Sequence, residues 1–204
     1  DNRYINAQQA KQEVEEYLGY KVEIGKNIKF DAGAIDKTWI GNCVAMGLSA
    51  NFIEPLEASS IGSCIQQSFL LITHLPNYNS TAINEYNKSC TNLFENIRDF
   101  VLMHYLCGKK DSRFWKDLSI KIPNNLKLNL KKWKSRLPVS EDFKSNYVLF
   151  YETNFAVFLK ELKLMQISKI KEEYKAKIKK IDQKDIEKFY KIFYKHRKEI
   201  NEYV

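Results

Sequence analysis

The 204-residue chain carries a formal net charge of +8 and is 44% hydrophobic, which fits one domain, or most of one, with enough apolar residues for a core. No apolar run reaches the roughly eighteen residues of a membrane span, and no charged-then-apolar leader opens the chain, so we expect a cytoplasmic protein without membrane association. The four cysteines form no CxxC pair, which argues against a zinc site, and we expect no bound metal.

The N-terminal region predicts one helix followed by two short strands. Apolar residues recur at helical spacing from Asn6, a plausible N-cap, to Leu18, and Gly19 is suited to end the helix. Strands are predicted at residues 20–24 and 27–30, on either side of a Gly-Lys turn.

Residues 39–67 are the most informative stretch of the chain. A connection over residues 31–38 leads into the short apolar run 42–47, which predicts one buried strand. Residues 48–56 combine serine, asparagine and proline and predict a turn. From residue 59 onward, apolar side chains at three- and four-residue spacing predict one face of a helix: Ile61, Cys64, Ile65, Phe69 and Ile72.

The start of this helix is a candidate anion site. Ser59 or Ser60 is suited to be its N-cap, and Pro76 is expected to end it. Free amides and the positive end of the helix dipole point the same way at such an N-terminus, so an anion is stabilised there. Glu57 lies just before the helix, and on spacing alone its most frequent role is to complement the dipole.

Residues 42–61 read NCVAMGLSANFIEPLEASSI and resemble the signature of flavin-dependent tryptophan halogenases, whose usual form is close to NCVAIGLSAGFLEPLESTSI. The resemblance is contiguous and includes the rare EPLE core. It implies that Glu57 is catalytic and that the backbone amides of Ser59 and Ser60 bind a halide. The residues that it places against the flavin are Gly47, Leu48 and Ile61.

This sequence departs from the usual signature at two positions that concern the site. Asn51 stands where the family has a glycine, and Ala58 replaces a serine beside the catalytic acid. Neither change removes a backbone amide, so we expect the halide site to be retained.

The resemblance also implies the fold class. We expect an α/β chain that forms the C-terminal part of a flavin-monooxygenase-like fold, mostly α-helical with a few strands near its N-terminus. Residues 1–75 are expected to end the α/β core that holds flavin and substrate, and residues 76–204 to form a helical lid over the substrate. The chain has no GxGxxG motif for a flavin pyrophosphate, no WxWxIP box and no counterpart of the catalytic lysine. We therefore expect the C-terminal portion of a larger enzyme, inactive on its own.

The rest of the chain predicts further helices. One long helix is predicted from Ala82 to Cys107 with Gly108 as its cap, and its phrase IRDFVLMHYLCG is similar to a segment of the family. His104 lies in that phrase, and a lone helical histidine is usually structural. A short helix is expected between the prolines at 123 and 138, and two amphipathic, lysine-rich helices from residue 166 onward.

Aromatic residues are dense between residues 140 and 158. In the family this region covers the indole pocket, so the resemblance implies substrate contacts for Phe150, Tyr151 and Phe155. The usual tryptophan-containing pair is replaced here by Asn154-Phe155. That these aromatic residues are simply core is an equally weighted alternative.

The function implied first is flavin-dependent halogenation of an aromatic, indole-like substrate by hypohalous acid made from reduced flavin, oxygen and halide. FAD and a halide ion are the implied cofactors, and a separate flavin reductase, a small aromatic substrate and a second copy of the chain are the implied partners. A flavin-dependent aromatic monooxygenase is the first alternative, and halide dependence of turnover separates the two. A basic helical nucleic-acid-binding module, suggested by the lysine-rich C-terminus, ranks last because it leaves EPLE unexplained.

Overall fold

The structure, a computed structural model, describes residues 3–26, 28, 31–54, 56–106 and 109–178. These ranges contain seven α-helices and four strands of two residues each. The helices are α1 (Ala7–Leu18), α2 (Ser59–His74), α3 (Ser80–His104), α4 (Arg113–Ile120), α5 (Asn124–Trp133), α6 (Glu152–Glu161) and α7 (Ile167–Ile178). The strands are β1 (Gly33–Ala34), β2 (Trp39–Ile40), β3 (Cys43–Val44) and β4 (Asn51–Phe52).

Helix α1 has the predicted bounds and caps. The Asn6 side chain accepts the Gln9 amide at 2.9 Å, the Gln9 side chain accepts the Asn6 amide at 3.0 Å, and Gly19 ends the helix in the left-handed region. The strand predicted at 20–24 is wrong, because Val22 donates its amide to the Glu15 carboxylate at 3.0 Å instead of to a neighbouring strand. Of the second predicted strand, only residue 28 lies within the described part of the chain.

The four strands form two separate antiparallel pairs. β1 pairs with β4, and β2 pairs with β3 through a hairpin whose Gly41 has a φ of 55°. The prediction of one buried strand at 42–47 is therefore wrong: only Cys43–Val44 is strand, and Cys43 is exposed. The predicted connection contains β1, and the predicted turn contains β4. The Gly41-Asn42 pair is itself a two-residue hairpin signal, although no hairpin was predicted there.

Helix α2 ends at His74, before Pro76, as predicted, but neither serine is its N-cap. Ala58 occupies that position in a left-handed conformation, so Ser59 and Ser60 are the first two residues of the helix. The inward face of α2 is mainly polar, with Ser59, Ser63, Gln67 and Leu70 buried. Its predicted apolar face points outward: Ile61, Ile65, Phe69 and Ile72 are each more than half exposed.

Helix α3 is the centre of the fold. It begins after its N-cap Asn79 and ends at His104, three residues before the predicted end at Cys107; the predicted cap Gly108 lies outside the described residues. Its buried side chains join the core built around α2, α5 and α6. The largest fully buried members of this core are Trp39, Leu70, Tyr86, Leu93, Ile97, Met103, Leu126, Trp133, Phe155 and Leu159.

The hydrophobic core crosses the domain boundary that was expected at residues 75 and 76. Trp39 and Leu70 from the first part belong to the same cluster as the α3 and α6 side chains from the second, and the boundary stays a prediction. Among the described residues no helix is both long and apolar enough to span a membrane. The second lysine-rich helix expected near the C-terminus lies outside the described residues.

Candidate functional site

Glu57 lies in a strained turn directly before α2. Glu57 and the following Ala58 have φ values of 57° and 49°, in the left-handed region that residues with a Cβ rarely occupy. Each such residue costs about 1–3 kcal/mol and persists only where its surroundings enforce it. The turn leaves the Glu57 side chain 54% exposed, so its carboxylate is presented to a ligand rather than buried.

Contacts to Glu54, the first acid of EPLE, fix this turn. Ser59 Oγ donates to the Glu54 carbonyl at 3.1 Å, and the Tyr105 hydroxyl donates to the Glu54 carboxylate. Burial, together with the bond to Glu54, raises the pKa of Tyr105, so the phenol remains a donor at physiological pH. Glu54 is thereby tied to the end of α3, whereas the Glu57 side chain is half exposed.

His104, the last residue of α3, faces Glu57. Its Nδ1 lies 3.0 Å from the Phe100 carbonyl oxygen, and its Nε2 lies 3.9 Å from Glu57 Oε1. The Phe158 ring centroid is 3.9 Å from the imidazole centroid, and Phe100 contacts the ring edge-on. His104 and Tyr105 thus contact the two glutamates of EPLE from consecutive positions.

The first turn of α2 has the features of an anion site. The N-cap Ala58 makes no side-chain hydrogen bond to the helix, and the turn contains no acidic residue. The first amides of any helix lack intrahelical acceptors, and the helix dipole adds positive potential there. The amides of Ser59 and Ser60 therefore lie where a small anion is stabilised, next to Glu57.

The glycine loop before β4 packs against the inward face of α2. Gly47 has a φ of 59° and donates its amide to Oε1 of the fully buried Gln67 at 2.9 Å. The next residue, Leu48, is about two-thirds exposed, as is Ile61 in the first turn of α2. The loop and the helix start together present an apolar surface beside the turn that carries Glu57.

The departure at residue 51 has a structural partner. Asn51 is buried and donates from Nδ2 to Oγ of the fully buried Ser63 at 3.0 Å. The amide therefore fills a space next to α2 and satisfies a hydroxyl that the helix turns inward.

Two of the three aromatic residues proposed for the substrate are core residues. Phe155 is 1% exposed, and Phe150 stacks on Phe100 with ring centroids 3.9 Å apart. Asn96 of α3 holds this segment, because it accepts the Phe150 amide at 2.9 Å and donates to the Phe150 carbonyl at 2.9 Å. Tyr151, which is half exposed, is the member of the three with surface left for a ligand. Substrate contact stays a prediction for all three.

The aromatic segment also approaches the start of α2. A Cβ built on Gly62 would lie 2.7 Å from a methyl group of Leu149. Leu149 in turn donates its amide to Asn96 at 3.1 Å. The segment before α6 therefore borders the helix turn that follows Ser59 and Ser60.

A known protein family matches most of this chain. The family model described as tryptophan halogenase matches residues 1–176. The chain belongs to the tryptophan halogenase family. A tryptophan 6-halogenase, SttH from Streptomyces toxytricini, is 31% identical over 145 residues, which are 68% of this chain and 28% of that protein.

Solved halogenase structures share the fold of this family member. The tryptophan halogenase from Shewanella frigidimarina superposes with a TM-score of 0.73 at 26% identity, over 81% of this chain and 34% of that one. BrvH, a flavin-dependent halogenase from Brevundimonas sp. BAL3, superposes with a TM-score of 0.70 at 25% identity, over 79% and 33%. The chain thus spans about a third of the length of these halogenases.

In the structure of this halogenase-family chain, the predicted catalytic, halide-binding and flavin-binding residues lie on neighbouring segments, whereas the predicted substrate residues Phe150 and Phe155 lie in the core. Gly47, Leu48, Glu57, Ser59, Ser60 and Ile61 all lie on the loop and turn at the start of α2. Their individual roles stay predictions. His104 and Tyr105 were not predicted to belong to the site, although this HY pair lies in a phrase that resembles the family.

Proposed function

We propose that this chain is the part of a flavin-dependent halogenase that binds the halide and carries the catalytic carboxylate, and that the substrate is a small aromatic molecule. One observation carries the proposal: a strained turn presents Glu57 beside a helix N-terminus that no side chain caps. Family membership supports the reaction class, and the geometry of the turn supports the proposed roles of these residues.

The halide is proposed to bind at the amides of Ser59 and Ser60. Ser59 is buried and its hydroxyl is used on the Glu54 carbonyl, so the backbone is the donor left for an anion. Backbone donors with a helix dipole bind a halide without a cationic side chain, which keeps the ion unpaired and reactive.

The exposed apolar residues beside this site fit a flavin ring. Leu48 and Ile61 are two large apolar side chains left open to solvent on the loop and helix start, and Gly47 supplies the left-handed bend between β3 and the loop. They would lie against the flat face of FAD. When bound and reduced by a partner flavin reductase, FAD with oxygen supplies the oxidising power that converts halide to hypohalous acid.

Glu57 is proposed to act on the arene. As a carboxylate it stabilises the positive charge that develops when the aromatic carbon takes up halogen. It is also placed to accept the proton that the same carbon loses. Its exposure allows both roles, since none of the described residues of the turn donates a hydrogen bond to its carboxylate.

The outward face of α2 is proposed to pack against the flavin-bearing remainder of the halogenase fold. Four large apolar side chains on one face of one helix form a patch that a protein surface rarely leaves uncovered. The halogenases that match this chain are about three times as long, so a fold partner of the required size exists in the family. The same patch begins at Ile61, one of the proposed flavin contacts.

Bromide binding tests the proposal directly. Crystals soaked in bromide are expected to show an anomalous peak at the amides of Ser59 and Ser60. Ser60→Pro is the matched variant, because proline is tolerated in the first helical turn and removes one amide donor. The proposal predicts that the peak weakens or disappears in this variant, whereas a wild-type crystal without density there contradicts the halide site.

Turnover of the complete enzyme tests the reaction class. Glu57→Gln keeps the size of the side chain and removes its charge, so halogenation is expected to fall by roughly 10²-fold or more while flavin binding is retained. Product formed at the same rate without chloride, bromide or iodide would instead identify an oxygenase.

A further inference from the structure

The protonation state of His104 follows from its contacts. Nδ1 lies 3.0 Å from the Phe100 carbonyl oxygen, and a carbonyl oxygen only accepts hydrogen bonds, so Nδ1 carries a proton. In the neutral ring Nε2 then has a lone pair and no hydrogen. That nitrogen is buried and has no hydrogen-bond partner among the residues that the structure describes.

The group that faces this nitrogen is the Glu57 carboxylate. Oε1 lies 3.9 Å from Nε2, and the rings of Phe100 and Phe158 pack against the imidazole ring. The nearby Glu54 and Tyr105 are bonded to each other and are not available. A carboxylate and a neutral Nδ1–H imidazole would set two acceptors against each other, so the pair is satisfied only when it holds one proton between them.

We propose that His104 is a positioning residue for Glu57: one proton held between Nε2 and the Glu57 carboxylate fixes the direction in which that carboxylate faces the arene. The separation must shrink by about 1 Å to reach a charge-assisted hydrogen bond, and rotation of the half-exposed Glu57 side chain supplies that movement.

The role of the pair in aiming Glu57 at the arene rests on the proposed function, whereas the pairing of the two side chains does not. The imidazole is in turn held by the Phe100 carbonyl and by Phe158, so its orientation is fixed by α3 and α6.

Nitrogen-15 NMR of the histidine rings at pH 7 tests the pairing in the chain itself. His104→Gln identifies the His104 signals by their loss. In Glu57→Gln the neutral amide can donate to Nε2, so that nitrogen is expected to shift toward the value of an unprotonated ring nitrogen. Glu54→Gln, a change in the neighbouring acid of the same turn, is the matched control and is expected to leave the ring signals in place.

Identical His104 ring shifts in the wild-type, Glu57→Gln and Glu54→Gln proteins would overturn the pairing. Circular dichroism of each variant establishes that the fold is retained, and the NMR result holds whether or not the complete enzyme halogenates. In the active complete enzyme, His104→Gln is expected to lower kcat about tenfold or more with little change in KM. An unchanged kcat would show that the pairing does not position Glu57 for the reaction, and the pairing itself would then be decided by the NMR result.

Discussion

The two faces of α2 are arranged in the opposite way to those of an ordinary surface helix, with polar side chains inward and apolar side chains outward. The inward face is mainly polar and its side chains are hydrogen-bonded: Gln67 holds Gly47, and Ser63 holds Asn51. The outward face carries Ile65, Phe69 and Ile72 in contact with solvent. An amphipathic helix that only stabilised a core would show the opposite pattern.

The two faces of α2 have different roles. The polar inward face shapes the glycine loop, and through it the position of Leu48 and of the turn at Glu57. The apolar outward face lies outside the core that the described residues form, and we propose that it packs against the rest of the halogenase fold. Substitutions on the two faces are therefore expected to affect different properties: stability of the chain on one side, association on the other.

The largest effect on stability is expected from Leu70→Ala on the inward face. Leu70 is fully buried in the core with α3, so its truncation loses transfer free energy and leaves a cavity, about 3 kcal/mol in total. Urea unfolding followed by circular dichroism measures it. Ile72→Ala, two residues on and facing outward, is the matched control and is expected to change the unfolding free energy by less than about 0.5 kcal/mol. Equal losses in both variants would refute the assignment of faces.

A smaller loss is expected from Gln67→Leu. In the wild-type chain the Gly47 amide donates to Gln67 Oε1. The leucine fills a similar volume but leaves that amide without an acceptor. An unsatisfied buried donor costs about 1–3 kcal/mol. The glycine loop is also expected to loosen locally, and hydrogen exchange of the Gly47 amide measures this. Protection of that amide equal to the wild type would show that another acceptor replaces Gln67.

Sequence reasoning predicted the helix that carries the candidate site residues but not the direction in which its two faces point. The bounds of α1 and the C-terminal end of α2 followed from Asn6, Gly19 and Pro76, because caps and breakers act locally. The apolar spacing from Ile61 to Ile72 correctly predicted a helix. It could not show that this side is exposed, because periodicity identifies a face without identifying what covers it.

The misplaced N-cap and the missed histidine have a common origin. Ser59 is a good cap by residue type, yet the left-handed turn at Glu57 and Ala58 shifts the helix start by one residue. That turn is held from α3, through Tyr105 and Glu54, across some fifty residues of sequence. A local sequence pattern carries no sign of such long-range contacts. His104 was therefore interpreted as an isolated, structural histidine within a helix.

Asn51→Gly restores the residue that is usual in the family signature and is expected to cost about 1 kcal/mol. The change removes the hydrogen bond to Ser63 Oγ and adds backbone entropy to the unfolded chain. The double variant Asn51→Gly, Ser63→Ala is the sharper measurement, because it removes both partners of the bond. If the buried hydroxyl is the source of the cost, the double variant recovers part of the lost stability; additive losses would show that Asn51 acts through packing alone.

Ile65→Asp on the outward face is expected to have the smallest effect on the stability of the chain, within about 0.5 kcal/mol, because more than half of the side chain already contacts water. Its effect on assembly with the flavin-bearing part is expected to be large. A carboxylate at the centre of the patch would be buried without a partner when the flavin-bearing part packs on α2, and such a charge is costly. In the complete enzyme, assembly is measured as flavin binding and as co-purification of the flavin-bearing part with this chain. Val157→Asp, a similarly exposed apolar residue on α6, is the control. If both substitutions leave assembly intact, the outward face of α2 is not the interface, and its apolar side chains need another explanation.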